Sequence, residues 1–196
     1  MNIFRKKKEL NPQNFKNWDS INPTNKTIEH PKTVVVIESS VNQEIEKYSH
    51  IDLKNEVGGV LVGRLNQEGI IEVLGAIEAK YADHKAASLT FTHESWNFIH
   101  STIEQKYSDL NIVGWFHTHP GYGIFLSSYD LFIHKNFFRL PYQVALVIDP
   151  CQNLRGVFTW NGENIEKQST YFTGISSIHK IAPLKLVLDQ AEESHG

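Results

Sequence analysis

The sequence predicts an α/β domain, a mixed β-sheet sandwiched by helices. Three features carry that prediction. Apolar, β-branched runs of strand length recur, the clearest being TVVVIE at 33–38, EVGGVLVGRL at 56–65 and YQVALVID at 142–149. Segments with apolar residues at helical spacing lie between them, as at 92–107. Some strands are linked by tight turns and others by helices, so antiparallel and parallel neighbours should share one sheet.

Taken in order, residues 1–31 form a polar extension rich in Asn, Lys and Pro, expected to be mobile or loosely docked and set apart from a globular part at 32–196. Its basic cluster Arg5, Lys6, Lys7 and Lys8 reads as a solubilising terminus rather than a binding arm. The strand at 33–38 is followed by a helix that Ser39 or Ser40 can cap, with Val41, Ile45 and Tyr48 on its apolar face. Glycines inside the strand at 56–65 point to close backbone approach or a bulge. Residues 70–79 should be its antiparallel partner, joined through a turn at 66–69. The helix at 92–107 lines up Trp96, Ile99, Ile103 and Tyr107. A buried strand at 111–116, a helix at 127–138 and the core strand at 142–149 follow. Residues 155–160 and 164–171 form a hairpin around Asn161-Gly162, and 178–191 reads as a closing helix with Pro183 near its first turn.

Composition excludes several classes. At 196 residues the chain fits one domain with a short tail. A net charge of −3 gives no global basic field for nucleic acid. No apolar run approaches the roughly 18 residues that span a bilayer, and no apolar stretch follows the basic cluster as in a secretory signal. The expected compartment is the cytoplasm. The single cysteine, Cys151, permits no internal disulfide and no Cys-rich zinc site, and it reads as a free thiol. Ten histidines mean that any bound metal must be held by imidazole and carboxylate.

The informative stretch is WFHTHPGYGIFLSSYD at 115–130. His117-x-His119 closes a predicted strand, where alternate residues point the same way, so both imidazoles can face one ion. Pro120 then turns the chain away. Ser127-x-x-Asp130 opens a predicted helix and by itself is a common capping pattern. Its position ten residues after the first histidine lets Asp130 serve as a third ligand. Two histidines and one aspartate leave a fourth position for water, the layout of a catalytic rather than a structural zinc. Such a site needs a general base, and Glu56, at the head of the glycine-rich strand, is the candidate. His93-Glu94 begins like a zincin helix, but Asn97 stands where its second histidine would be, so His93 reads as a helix-start residue. His134, one turn beyond Asp130, is either a packed helix residue or a neighbour of the metal. Tyr122 and Phe125 are either channel walls or core anchors of their loop.

Glu56 before VGGVLVG, then His117-Thr118-His119-Pro120, six residues, Ser127, two residues and Asp130 resembles the JAMM (MPN-plus) zinc metalloprotease family over about residues 33–175. The resemblance implies a curved, deaminase-like mixed sheet between helices and one zinc per chain. It makes His117, His119 and Asp130 the ligands. Glu56 would take a proton from the attacking water and pass it to the leaving amine, and Ser127 would hydrogen-bond the oxyanion. Family members cleave after the C-terminal glycine of ubiquitin-like proteins, whose extended tails lie beside an edge segment.

The intact residue set argues for an enzyme over a non-catalytic scaffold of the same fold. A DNA-repair-associated branch shares H-x-H-P and S-x-x-D but typically carries proline before the serine. Leu126 stands there in this chain, which favours the deubiquitinase-like branch, and the compact Lys- and Asn-rich chain looks prokaryotic. The expected role is precursor processing or deconjugation of a ubiquitin-like protein, and family association extends it to partnership with E1- and E2-like enzymes of one operon in antiphage defence. The alternative is release of an amino acid or peptide from a sulfur-carrier protein.

Overall fold

The strand signals define one large sheet. A computed structural model describes residues 33–85 and 88–174. The expected extension at 1–31 and the closing helix at 178–191 lie outside the described residues. In chain order the elements are β1 (Val34–Ile37), α1 (Ser39–Ser49), β2 (Gly58–Leu65), β3 (Ile70–Glu78), β4 (Asp83–Lys85), β5 (Ser88–Thr90), α2 (His93–Lys106), β6 (Asn111–Thr118), α3 (Ser128–Phe137), β7 (Val144–Asp149), β8 (Leu154–Asn161), β9 (Asn164–Lys167) and β10 (Phe172–Thr173). Eight strands order as β10-β1-β3-β2-β6-β7-β8-β9, and β4 pairs with β5 in a separate ribbon. The expected mixed sheet is borne out. β2 is antiparallel to β3 and β6, whereas β6 and β7 run parallel through the helical crossover α3.

Side-chain alternation splits the core into two layers. Phe116 joins Val41 and Ile45 of α1 on one face, while Trp115 joins Ile99 of α2 and Ile133 of α3 on the other. The central strands are apolar on both faces, as a doubly covered sheet requires. The glycines of β2 act as expected. The ladder to β3 shifts between Val62 and Gly63, and a Cβ on Gly58 would lie 2.2 Å from the Phe116 carbonyl oxygen. Two details were not read from sequence. The link after β3 holds the β4–β5 hairpin. Residues 164–171 do not make one strand: β9 ends at Lys167, the Gln168 N–H adds a last bond to the Val157 carbonyl in the same register, and β10 pairs with β1 at the opposite edge of the sheet.

Candidate metal centre

β2, β6 and the N-terminus of α3 converge at one end of the sheet. Gly58 is paired with His117 across the β2–β6 ladder, so Glu56 stands immediately before β2 beside the end of β6. Thr118 locks that arrangement. Its Oγ1 accepts the Val57 N–H at 2.9 Å, and its own N–H donates to the Val57 carbonyl at 2.8 Å. The His119 N–H reaches the Ile148 carbonyl at 2.7 Å, which holds the strand end against β7. The middle residue of the histidine motif therefore fixes the glutamate relative to both imidazoles, a role the sequence reading did not assign.

The helix cap forms as the serine–aspartate spacing predicts. Ser127 Oγ accepts the Asp130 N–H at 3.1 Å and the Ser127 N–H donates to Asp130 Oδ2 at 2.7 Å. The same carboxylate faces the histidines: Oδ1 lies 3.4 Å from His117 Nε2 and Oδ2 lies 3.4 Å from His119 Nε2. The two Nε2 atoms are 3.1 Å apart, and Glu56 Oε1 lies 3.7 Å from His119 Nε2. All four residues are buried. Ligands at about 2.0–2.1 Å around a tetrahedral zinc stand about 3.3 Å from each other. His117, His119 and Asp130 thus present three donors at the spacing of one face of such a tetrahedron, and they can hold a metal ion.

Electrostatics agree with that chemistry. Burial lowers the His117 pKa, which favours the neutral imidazole a metal needs. Burial would also lower His119, but the Asp130 and Glu56 carboxylates outweigh it and raise its pKa. Burial works to raise Asp130, yet both imidazoles and Ser127 hold it far below the carboxylate range. Burial pushes the Glu56 carboxyl up to about 7, with Asp130 adding to the rise and His119 opposing it. A cation among the three donors would draw Glu56 back down.

Two supports lie behind the donors. Asp149 ends β7 fully buried; its Oδ1 accepts the N–H groups of Gly121, Cys151 and Gln152, and its Oδ2 accepts that of Gly123 at 2.8 Å. Gly121 and Gly123 hold φ near +80°, a conformation that favours glycine. The Gly123 carbonyl in turn accepts from His119 Nδ1 at 3.3 Å, which leaves the Nε2 lone pair facing the other donors. His117 is held differently. Its ring stacks on Trp115, with centroids 4.4 Å apart and planes within 10°, and the Trp115 Nε1–H donates to His134 Nδ1 at 3.0 Å. His134 is therefore a packed helix residue that supports the ring stacked on His117, and it stands outside the donor cluster. Asp149 and Trp115 carried only a weak signal: an aspartate after a core strand, and an aromatic two residues before a histidine.

The remaining candidates sort by exposure. Tyr122 is 56% and Phe125 45% exposed, so neither anchors its loop in the core, and the Phe125 ring lies 4.7 Å from that of His119. The β4–β5 hairpin flanks the same opening, with Thr90 Oγ1 2.7 Å from the Tyr129 hydroxyl of α3. His93 opens α2, as expected, and Cys151 is an exposed free thiol. No helix among the described residues is long and apolar enough to cross a membrane.

An α/β sheet with a buried His-His-Asp cluster at the ends of its parallel strands is a domain whose side chains can hold a metal ion, and comparison with known proteins narrows the class. The family model described as JAB1/Mov34/MPN/PAD-1 ubiquitin protease matches residues 30–141, more than half of the chain. The chain belongs to this family. It is 27% identical over 134 residues to the 26S proteasome regulatory subunit RPN11 of Eremothecium gossypii, covering 68% of this chain and 43% of that protein. It is 27% identical over 126 residues to the ubiquitin carboxyl-terminal hydrolase RPN11 of Saccharomyces cerevisiae, covering 64% and 41%. The chain thus spans less than half the length of these relatives. The solution structure of protein DSY2949 from Desulfitobacterium hafniense shares the fold, with a TM-score of 0.58 at 17% identity over 74% of this chain and 97% of that one.

Proposed function

We propose that the chain is a zinc-dependent isopeptidase that cleaves after the C-terminal glycine of a ubiquitin-like protein, in precursor processing or deconjugation. One observation carries this reading. Three buried donors stand 3.1–3.4 Å apart with a second carboxylate, Glu56, 3.7 Å from one of them. Three ligands plus a base is the division of labour of a hydrolytic centre, whereas a structural metal site would use all four residues as ligands. Zinc, when bound, supplies a Lewis acid that polarises the scissile carbonyl and acidifies water toward neutrality.

Everything else is done by the chain. Glu56 takes the proton of the attacking water and delivers it to the departing amine. The cap occupies an acceptor site of Ser127 Oγ, so its O–H remains to donate to the oxyanion. The β4–β5 hairpin offers an edge on which an extended tail can add as a strand, and Phe125 narrows the approach to His119 so that a Gly-Gly terminus passes more readily than bulky residues. The names of the RPN11 relatives support a ubiquitin-like substrate. The reading extends to a bacterial conjugation operon with E1- and E2-like partners.

The test uses zinc-loaded full chain with linear fusions and lysine-linked conjugates of ubiquitin-like proteins, beside sulfur-carrier fusions. Cleavage after the terminal glycine should occur and should fall by about 10²–10⁴-fold in Glu56→Gln while zinc content is retained. Glu56→Gln cleaving at the wild-type rate overturns the role of the base. Turnover of sulfur-carrier fusions alone overturns the substrate class.

A further inference from the structure

β3 runs beyond its pairing with β1, and among the described residues that stretch of edge carries no further strand. β1 pairs with β3 only from Ile70 to Val73, and β3 continues to Glu78. The Glu38 N–H closes that pairing on the Val73 carbonyl, and the chain then turns into α1. On its other side β3 is in register with β2, with Val60 opposite Ile77 and Gly59 opposite Glu78, and the Ala79 N–H donates to the Gly58 carbonyl. In that antiparallel alternation the Ile77 backbone groups face β2, and those of Ala76 and Glu78 face outward. The outward groups have no hydrogen-bond partner among the described residues.

A cavity of about 330 Å³ lies along this edge. It is lined by Glu44, Ile45 and Tyr48 of α1, by Phe98, Thr102 and Lys106 of α2, and by the β3 residues 76–78. α1 covers one face of the sheet and α2 the other. A single space that touches both must open over the edge of β3 that no strand covers among the described residues. The cavity therefore combines an unpaired backbone with walls from two helices, the two parts of a strand-addition site.

Its charge selects the occupant. Glu44 and Glu78 enter from α1 and β3, against Lys106 at the end of α2, while the Lys80 ammonium lies over the Phe98 ring, 5.4 Å from its centroid. Their field reaches the tyrosines: burial and then Glu78 raise the Tyr48 hydroxyl to about 12, and burial and then Glu44 raise that of Tyr107. Tyr48, Tyr107 and Phe116 supply ring surface around the carboxylates, Phe98 being met by the chain's own Lys80. An aliphatic stem ending in a cation matches both: the stem lies on the rings and the charge lies between the glutamates.

We propose that the β3 edge at Ala76–Glu78 binds an extended segment of a partner protein as an added strand, with a lysine or arginine side chain of that segment inserted between Glu44 and Glu78. The site is separate from the metal centre and does not depend on its chemistry.

The test is fluorescence anisotropy of the zinc-loaded full chain with the labelled hexapeptide Ser-Val-Lys-Val-Thr-Ser and its Ser-Val-Glu-Val-Thr-Ser counterpart. The lysine peptide should bind at least about tenfold more tightly than the glutamate peptide, and Glu78→Lys and Glu44→Lys should each reverse or abolish that preference. Ala76→Pro removes an outward N–H, spares the β2 ladder, and should abolish binding of both peptides. Glu44 and Glu78 are exposed, so the charge variants keep the test decisive even where the proline variant fails to fold. Zinc content and cleavage rate should stay at wild-type values in the charge variants. Equal binding of the two peptides, no binding of either, or self-association of the chain that Glu78→Lys abolishes would overturn the proposal.

Discussion

Replacing Asp149 with asparagine tests whether the loop that carries Ser127 is held by one buried carboxylate. Oδ1 accepts three backbone N–H groups and Oδ2 accepts that of Gly123. Asparagine keeps one acceptor. With its oxygen placed toward Gly121, Cys151 and Gln152, its amide nitrogen faces the Gly123 N–H, donor against donor. The flipped amide would set one donor against three. The favourable orientation loses one charge-assisted bond and weakens three others to neutral strength, which together cost about 3–4 kcal/mol. Urea unfolding at pH 7 should show that loss. The Gly123 carbonyl holds His119, so zinc affinity measured against a competing chelator should also fall about tenfold or more. The pH dependence fixes the cause. Burial tends to raise the Asp149 pKa, but the four backbone donors outweigh it and hold the pKa below its ordinary value. A depressed folded-state pKa contributes stability that is present above the unfolded value of about 4 and is lost as pH falls through the folded value. The gap between metal-free wild type and Asp149→Asn should therefore be constant near neutrality and close in acid. A variant as stable as wild type, or a gap that persists unchanged into strong acid, would refute the latch.

Three further outcomes follow from the centre. Trp115→Phe keeps a ring beside His117 but leaves His134 Nδ1 buried without its donor, and it should cost about 1–3 kcal/mol by urea unfolding. The loss should shrink in a His134→Leu background, where that acceptor is gone, and an unchanged loss would place the energy elsewhere. Burial, then His117, lowers the His134 pKa to about 4. At this residue the unfolded chain binds a proton between pH 6.5 and 4 that the folded chain refuses, so the His134 contribution to stability should fall by about 3 kcal/mol as pH drops through that window, against the opposite contribution of the raised Glu56 carboxyl, and the stability difference between wild type and His134→Asn should change by that amount. Removing zinc with a chelator should lower the unfolding midpoint, and zinc at about 1,000 times its Kd should restore about 4 kcal/mol; a midpoint indifferent to zinc would mean that the three donors do not bind it.

The core strands and amphipathic helices were legible because burial imposes a period. Residues 70–79 beside 56–65 and the capped helices at 92 and 127 needed only local pattern and turn chemistry. The candidate site residues could be singled out because His-x-His on a strand and Ser-x-x-Asp at a helix start are both local geometries, and the structure brings His117, His119 and Asp130 together. What could not be read is non-local. Thr118 acts through a residue 61 positions away, and Asp149 serves a loop 26–28 positions upstream. Neither partnership leaves a periodic trace. The β4–β5 hairpin escaped because three-residue strands are too short to show alternation.

Asp130 shows why the bland and the chemical readings of a motif need not compete. As a capping residue it satisfies the Ser127 N–H, and the α3 N-terminus favours its negative charge. Those same contacts fix its rotamer, and the fixed rotamer aims both oxygens at the two imidazoles. Ser127 is bound by the same logic, since the cap orients its hydroxyl oxygen beside the centre. The helix start is thus what preorganises the third donor, and a substitution that only weakened the cap would misplace the Asp130 carboxylate before it unfolded the helix. Ser127→Ala should accordingly cost about 1 kcal/mol of stability, as lost caps do. It should also weaken zinc binding, which an N-cap remote from any ligand would leave untouched. A Ser127→Ala chain with wild-type zinc affinity would separate the two roles and show that Asp130 is held without its cap.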